Sequence, residues 1–424
     1  MAGSLVAGLV AALALVVVPL VPAEESAVTG AVLCGFAVGW ALLAVLSVRF
    51  TDQPQRWAAA PAVVMGCGGL LLLVFGSSVQ DLLSWVWPPA LLVLVVWMVV
   101  RARRELHGRS RRWLLYPVFA LLALASIGGG YQTVRGAIDA AAVHMPGQLV
   151  DVGGHRMHLR CTGSGSPTVV LEPGAGAMSA SLGWITPAVA AETRVCVYDR
   201  AGRGWSEPAG TPQDGTQVAT DLHTLLHRAD VPEPYVLAGH SFGGLYALTF
   251  AARYPDEVAG MVLVDSTAPA ASPSEAVASD LMGRVSALVS ATARLGLGQL
   301  VGELAADGLP PEVQDEVRAR TATASNLRST VDEYAQAGVW AGAAAALTDF
   351  AGKPLVVLTA GQGNSAGWAE AQDRLASLST NSVHRTVSNA THGDLVGDQQ
   401  KAAATSQAIH DLLTAVRSGA LLER

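Results

Sequence analysis

The chain has 424 residues, a formal net charge of −7, and 51% hydrophobic against 14% charged residues. That length exceeds a single compact domain, and the apolar excess is gathered in residues 1–133, which separates a membrane module from a globular one. The acidic balance, with no basic stripe outside one short loop, argues against nucleic acid as a partner.

From the N-terminus, five windows are apolar and long enough to cross about 30 Å of hydrocarbon. They are Ser4–Val21, Ala27–Val48, Ala58–Phe75, Leu83–Val100 and Trp113–Tyr131, and none has a charged side chain in its interior. Ion paths and proton relays need an ionisable residue inside the membrane, so an anchor of packed helices is expected here rather than a transport path. Trp57, Trp85, Trp87 and Trp113 fall near span ends, where an amphipathic ring suits the headgroup region. The connection Arg101–Arg112 carries six arginines and is expected in the cytoplasm; Arg49 and Arg56 agree in sign, while the connections with Glu24, Glu25 and Asp81 carry no positive charge. Counting from the arginine loop predicts a multi-pass plasma-membrane protein whose globular half is extracytoplasmic. The first span resembles a signal peptide ending near Ala23, but its long core lacks a preceding basic residue, so retention is expected.

A connector over 134–147 leads into the globular part, 148–424. Two short strands, Gln148–Val152 and Arg156–Arg160, turn at Gly153-Gly154. Six more are predicted at Thr168–Glu172, Arg194–Tyr198, Tyr235–Ala238, Gly260–Asp265, Pro354–Thr359 and Val383–Ser388. Several are continuous apolar runs, as parallel strands buried on both faces require, and helical segments separate most of them. The pattern is α/β with a mostly parallel sheet. Between Asp265 and Pro354 lie Ala-rich, helix-favouring segments at Ser274–Ala293, Gly298–Ala306, Pro311–Arg320 and Thr330–Ala346.

The run Gly239-His240-Ser241-Phe242-Gly243-Gly244 stands between a buried strand and a helix. So sharp a turn forces its central residue into a strained conformation, and small flanking residues relieve the crowding. With that context, Ser241 reads as a nucleophile rather than as a serine in a tight turn. A serine hydroxyl needs a base and a group that orients the base.

These residues resemble the nucleophile elbow of the α/β-hydrolase superfamily. Val170-Leu171-Glu172-Pro173-Gly174-Ala175-Gly176-Ala177-Met178-Ser179 resembles its loop after the third strand, and Asp199-Arg200-Ala201-Gly202-Arg203-Gly204-Trp205-Ser206 its D-R-x-G-x-G-x-S loop, a structural element to which no chemistry is assigned. The resemblance covers about 148–418 and implies an eight-stranded, mostly parallel sheet with a helical cap at about 266–352, preceded by an all-α transmembrane region. It implies Ser, acid and His in that order along the chain. His392, after the last strand, matches the base; His240 is the elbow's variable residue, and His223, His227 and His410 fall on helices. After the seventh strand, where an acid is common, stand Gly361-Gln362-Gly363-Asn364. Asp265, at the end of the sixth strand, is the alternative that some members use, against a purely structural role there; Glu370 and Asp373 are the reserves. The backbone N–H groups of Phe242 and Ala175, with Gly174 next, are the expected oxyanion donors, although the usual histidine-glycine pair is replaced by Glu172-Pro173-Gly174.

The implied activity is hydrolysis of an ester, thioester or amide through an acyl-enzyme, esterase- or lipase-like, on a small-molecule acyl substrate, lipophilic ones included. An inactive hydrolase fold used for binding or signalling, and acyl transfer, are the alternatives. No cofactor and no metal are implied, the cysteines and histidines lacking ligand spacing. Cys161 and Cys196 would lie on neighbouring strands in this fold, and both a disulfide and two buried thiols remain open. Substrate identity and oligomeric state are not readable.

Overall fold

The computed structural model describes residues 2–17, 21–106, 109–210, 213–269 and 279–423. The chain divides into two compact units: one holds the residues up to Ile138 together with a segment ending at Leu300, and the other holds the rest from Asp139 onward.

The first unit is helical: α1 Ala2–Val17, α2 Glu25–Phe50, α3 Ala59–Phe75, α4 Ser77–Glu105 and α5 Arg109–Ala142. Four stretches, Glu25–Phe50, Arg56–Phe75, Ser77–Glu105 and Trp113–Ala142, are long and apolar enough to cross a membrane, whereas α1 is a shorter apolar helix of 16 residues. Five spans were expected. Residues 18–20 of the first expected window, Ser4–Val21, lie outside the described residues. Small residues let the helices touch: a Cβ on Gly35 would lie 2.3 Å from the Ala12 backbone, and Gly8 lies against Gly39. Such close approach is how helices associate where lipid removes the hydrophobic drive. Trp40, Trp57, Met98 and Phe119 fill the interior, so Trp57 is a packing residue rather than a headgroup anchor. Trp85 and Trp113 are exposed.

The second unit is built on one eight-stranded sheet: β1 Gln148–Asp151, β2 Arg156–Thr162, β3 Thr168–Glu172, β4 Val195–Tyr198, β5 Tyr235–His240, β6 Val258–Val264, β7 Leu355–Ala360 and β8 Ser382–Val387. Every expected strand is present within two residues at its ends. The order is β1-β2-β4-β3-β5-β6-β7-β8, with β2 antiparallel to both of its neighbours, β1 and β4, and every other pair parallel. Helices α6 Ile185–Ala190, α7 Gly215–Arg228, α8 Phe242–Arg253, α9 Ser279–Ala291, α10 Leu297–Ala306, α11 Pro311–Thr321, α12 Ala324–Ala335, α13 Ala337–Ala344, α14 Trp368–Ala376, α15 Asp394–Gly397 and α16 Gln399–Ser418 complete the chain.

Alternate residues of each parallel strand enter two cores. Val170, Leu237, Leu263 and Val357 pack with α7, α8 and α13, whereas Leu171, Val236, Val262 and Val356 pack with α6 and α16. Both faces of the sheet are therefore covered, and this is why its strands read as unbroken apolar runs. Cys161 on β2 stands directly opposite Cys196 on β4, and the two are joined as a disulfide. The insertion between β6 and β7 is helical as expected, but α9 belongs to the compact unit of α1–α5, so the cap does not run unbroken over 266–352. Residues 270–278 of that insertion lie outside the described residues.

Candidate active site

The C-terminal ends of β5 and β6 and the loop after β8 bring the candidate residues together. Ser241 follows β5 with φ +56° and ψ −124° before α8 begins at Phe242. A side chain in that region costs about 1–3 kcal/mol and persists only where the surroundings enforce it. They do so here. The Ser241 N–H donates to the Val264 carbonyl at 3.1 Å, and its own carbonyl accepts from Gly244 (3.0 Å) and Thr267 (3.1 Å). A Cβ on Gly243 would lie 2.1 Å from the Glu172 carbonyl oxygen, so no larger residue fits at that position of the elbow.

Asp265 follows β6 and also takes positive φ, +42°, with its N–H on the Leu358 carbonyl at 2.6 Å. Its carboxylate is buried. Oδ1 accepts from Trp368 Nε1 (2.8 Å) and the Ala360 N–H (3.1 Å), while Oδ2 lies 2.6 Å from His392 Nδ1. Burial raises the pKa of such a group, but the hydrogen bonds from His392, Trp368 and Ala360 outweigh it and hold the carboxyl below its ordinary range. Asp265 is thus an ionised acceptor that fixes the tautomer of His392, leaving Nε2 as the ring's free nitrogen. Among the described residues neither Nε2 nor Ser241 Oγ has a hydrogen-bond partner, so the serine–histidine link is open in this geometry. Of the reserve acids on α14, Glu370 is exposed and Asp373 pairs with His384 (Oδ1 to Nδ1, 2.7 Å); neither meets His392.

The elbow's variable residue is in contact with His392. His240 Nε2 lies 3.0 Å from the His392 carbonyl, and the two rings are 4.6 Å apart. Burial, then the neighbouring His392, push the His240 pKa down to about 4. The ring is neutral at pH 7 and donates a hydrogen bond to that carbonyl, steadying the loop that carries His392.

The loop after β3 approaches the elbow at Gly174, where a Cβ would lie 3.1 Å from Ser241 Cβ. Arg200 holds it from behind, donating through Nη1 to the Pro173 carbonyl (3.0 Å) and through Nη2 to the Gly174 carbonyl (2.8 Å). Glu333 of α12 completes the clamp. It accepts from Arg200 Nε (2.7 Å) and the Gly176 N–H (2.8 Å) and forms an ion pair with Arg203 Nη2 (2.7 Å). In a trans peptide the N–H points opposite to the preceding carbonyl. Carbonyls turned toward Arg200 therefore send the Gly174 and Ala175 N–H groups the other way, while the Gly176 N–H is consumed by Glu333. Arg200 and Glu333 are site-shaping residues that the sequence did not reveal: 133 positions separate them, and only the fold brings them together. A buried arginine in the loop after β4 was the available signal, since such a charge requires a carboxylate.

Glu172 stands where the family commonly has histidine. Tyr198 donates to its Oε2 at 2.7 Å, and Oε1 is buried without a partner. Burial pushes its pKa up to about 7 against the opposing pull of Arg200 and Tyr198.

One histidine pair departs from the expectation that ligand spacing is absent. His223 and His227, four apart on α7, meet Glu257 (His223 Nδ1 to Oε1 3.1 Å, His227 Nε2 to Oε1 3.5 Å) in a group that could hold a metal ion. Glu257 immediately precedes β6, so this group sits at the N-terminal edge of the sheet. Ser241, Asp265 and His392 sit at the opposite edge, which is where ligands bind in such sheets.

Residues 167–398, more than half of the chain, match the family model described as alpha/beta hydrolase fold. An uncharacterized protein of Schizosaccharomyces pombe is 36% identical over 155 residues, 30% of this chain and 29% of that one. A 2-(acetamidomethylene)succinate hydrolase of Mesorhizobium japonicum is 30% identical over 131 residues, 31% of this chain and 46% of that one. The chain thus matches less than half the length of these relatives. Among solved structures, Cfl2 from Burkholderia cenocepacia superposes with a TM-score of 0.50 at 24% identity, over 63% of this chain and 95% of that one. The matched family and the hydrolase-named relative support a hydrolase, and the four apolar helices are compatible with a membrane protein. The chain belongs to the α/β hydrolase fold family.

Proposed function

We propose that this protein is a membrane-anchored serine hydrolase that cleaves an ester, thioester or amide through an acyl-enzyme. Ser241 is the nucleophile, His392 the base and then the acid, and Asp265 the group that orients His392; the N–H groups of Phe242 and Ala175 receive the oxyanion. The observation that carries this reading is the 2.6 Å contact between Asp265 Oδ2 and His392 Nδ1 beside the strained serine. It supplies the carboxylate that the loop after β7 lacks. The orientation with the globular unit outside the cytoplasm rests on the arginine-rich connection between α4 and α5, and the Cys161–Cys196 disulfide agrees with an oxidising compartment.

The test is covalent labelling of the detergent-solubilised full chain with a fluorophosphonate. Labelling of the native protein and none of Ser241→Ala is expected. A native protein that stays unlabelled while folded overturns the reading.

A further inference from the structure

The segment α9, with the 3-10 turn Thr292–Leu295 that follows it, is part of the insertion after Asp265 yet packs among the helices of the first unit. Its contacts trace one level of that unit. Arg284 Nη1 donates to the Val16 carbonyl at 2.9 Å, in the last turn of α1. Ala287 is buried with Val16 and with Val28, in the first turn of α2. Arg294 Nε donates to Glu25, the first residue of α2, at 2.5 Å, and its Nη1 lies 3.8 Å from Asp81 and 3.4 Å from Ser84 Oγ, near the start of α4. Leu295 passes so close to α5 that a Cβ on Gly128 would lie 2.0 Å from its carbonyl oxygen.

The end of α1 and the starts of α2 and α4 are the same-side ends of antiparallel helices. Gly8 against Gly39, and Gly30 against Gly69, fix the antiparallel pairing of α1 with α2 and of α2 with α3, and Gln80 bonds Glu25 across to α4 at 2.9 Å. The segment therefore lies across the ends of the bundle instead of crossing it. Its length agrees: α9 has 13 residues, about 20 Å, and the axis then turns by 87° into α10.

Its two faces differ. Arg284, Ser286, Ala287 and Ser290 are buried. Leu281, Val285, Leu288 and Val289, spaced i, i+4, i+7 and i+8, form an exposed stripe that Leu295, Leu297 and Leu300 prolong. The stripe is wholly aliphatic. It runs at the level of the last turn of α1, the first turn of α2 and the start of α4, the ends that Arg284, Ala287 and Arg294 contact. A helix in the interface plane, polar side on a protein surface and aliphatic side free, sinks the free side into the boundary between headgroups and acyl chains.

We infer that α9 and the turn after it are an interfacial element that binds lipid acyl chains through Leu281, Val285, Leu288 and Val289, and that the hydrolase whose insertion carries it acts on a membrane-borne acyl ester. The second half rests on the function proposed above; the first does not. Phospholipid is the occupant because the stripe is exposed, wholly aliphatic and carried at the ends of helices apolar enough to cross a membrane.

Two measurements on the full chain in phosphatidylcholine vesicles test this. In a Cys34→Ala, Cys67→Ala background, a nitrobenzoxadiazole fluorophore on Leu288→Cys is expected to be quenched most by phosphatidylcholine with a nitroxide high on its acyl chain, and little by aqueous iodide. Dominant iodide quenching, or stronger quenching by a nitroxide near the chain end, overturns the interfacial placement. The paired variant Leu281→Gln, Leu288→Gln is expected to hydrolyse vesicle-borne p-nitrophenyl palmitate about tenfold more slowly or worse, since polar groups at the boundary weaken lipid binding, while its rate on soluble p-nitrophenyl acetate is unchanged. Equal losses on both, or no loss on either, overturn the substrate class. A native protein inactive on both esters sinks the hydrolase reading instead, and the fluorescence result stands apart from it.

Discussion

Asp265 is held at positive φ by its neighbours and accepts hydrogen bonds from Trp368 and Ala360 as well as contacting His392. An uncharged isostere keeps the shape and loses the preference for the right histidine tautomer. Asp265→Asn is expected to lower kcat by about 10⁴, the order seen when a triad carboxylate is amidated, whereas Glu370→Gln and Asp373→Asn leave kcat near native. Similar small effects from all three, in steady-state assays on a soluble ester, would discard the assignment. Glu172 gives a second residue-level test. Its pKa near 7 in the folded chain, against an ordinary value of 4.5, means that the folded state holds a proton the unfolded state has released between those pH values. Stability therefore falls as pH rises through that window, by at most about 1.4 kcal/mol per pH unit. Glu172→Gln removes the titration, so its stability relative to the native protein should improve from pH 5 to pH 8 in thermal unfolding; parallel curves would refute the buried acid. Ser241 and His392 were legible because motif and chain order name them. The company Asp265 keeps was not, since Trp368 reaches it only once β6 and β7 are neighbours.

Two element-level links hold the site in place. The first is the clamp in which Arg200 and Arg203, from the loop after β4, meet Glu333 of α12 behind the Pro173–Gly176 turn. Removing one partner of a buried charge cluster leaves the others uncompensated, at a cost of about 3–5 kcal/mol. Glu333→Gln should lower the denaturation midpoint accordingly, and kcat should fall more than the change in KM explains, because the Ala175 N–H loses its fixed direction. A variant with native stability and kcat would show that the clamp is idle. The second link is the disulfide that ties antiparallel β2 to β4, closing a loop of 35 residues. Loop-closure arguments assign about 3–4 kcal/mol to such a link, so Cys161→Ala, Cys196→Ala should unfold at clearly lower denaturant than the native chain. An unchanged midpoint would mean that the link adds no stability. Strand positions were readable from apolar runs bounded by Gly and Pro. The clamp was not, because an Ala-rich insertion with one glutamate gives no sign of where that glutamate lands.

At the scale of the whole chain, composition separated an apolar helical half from an α/β half, and the structure keeps that division except at α9, which joins the apolar half. Helix-favouring composition cannot tell a roof over a pocket from a helix lying on a bundle end, and that is why the insertion read as one cap. The expected orientation does not depend on α1, since it is counted from the arginine loop between α4 and α5 and needs only α5 to follow it. Six arginines favour the cytoplasmic side, and α5 then carries the chain to the opposite side before β1 begins. A cysteine at Gln407, exposed on α16, and one at Arg103, exposed near the end of α4, lie on the two sides by this count. In intact cells with a permeable outer envelope and in a Cys34→Ala, Cys67→Ala background, a membrane-impermeant maleimide should label Gln407→Cys and spare Arg103→Cys until the membrane is opened. Both variants should label fully after detergent. The reverse pattern in intact cells would place the hydrolase unit in the cytoplasm, and the disulfide would then stand in a reducing compartment, which disfavours it.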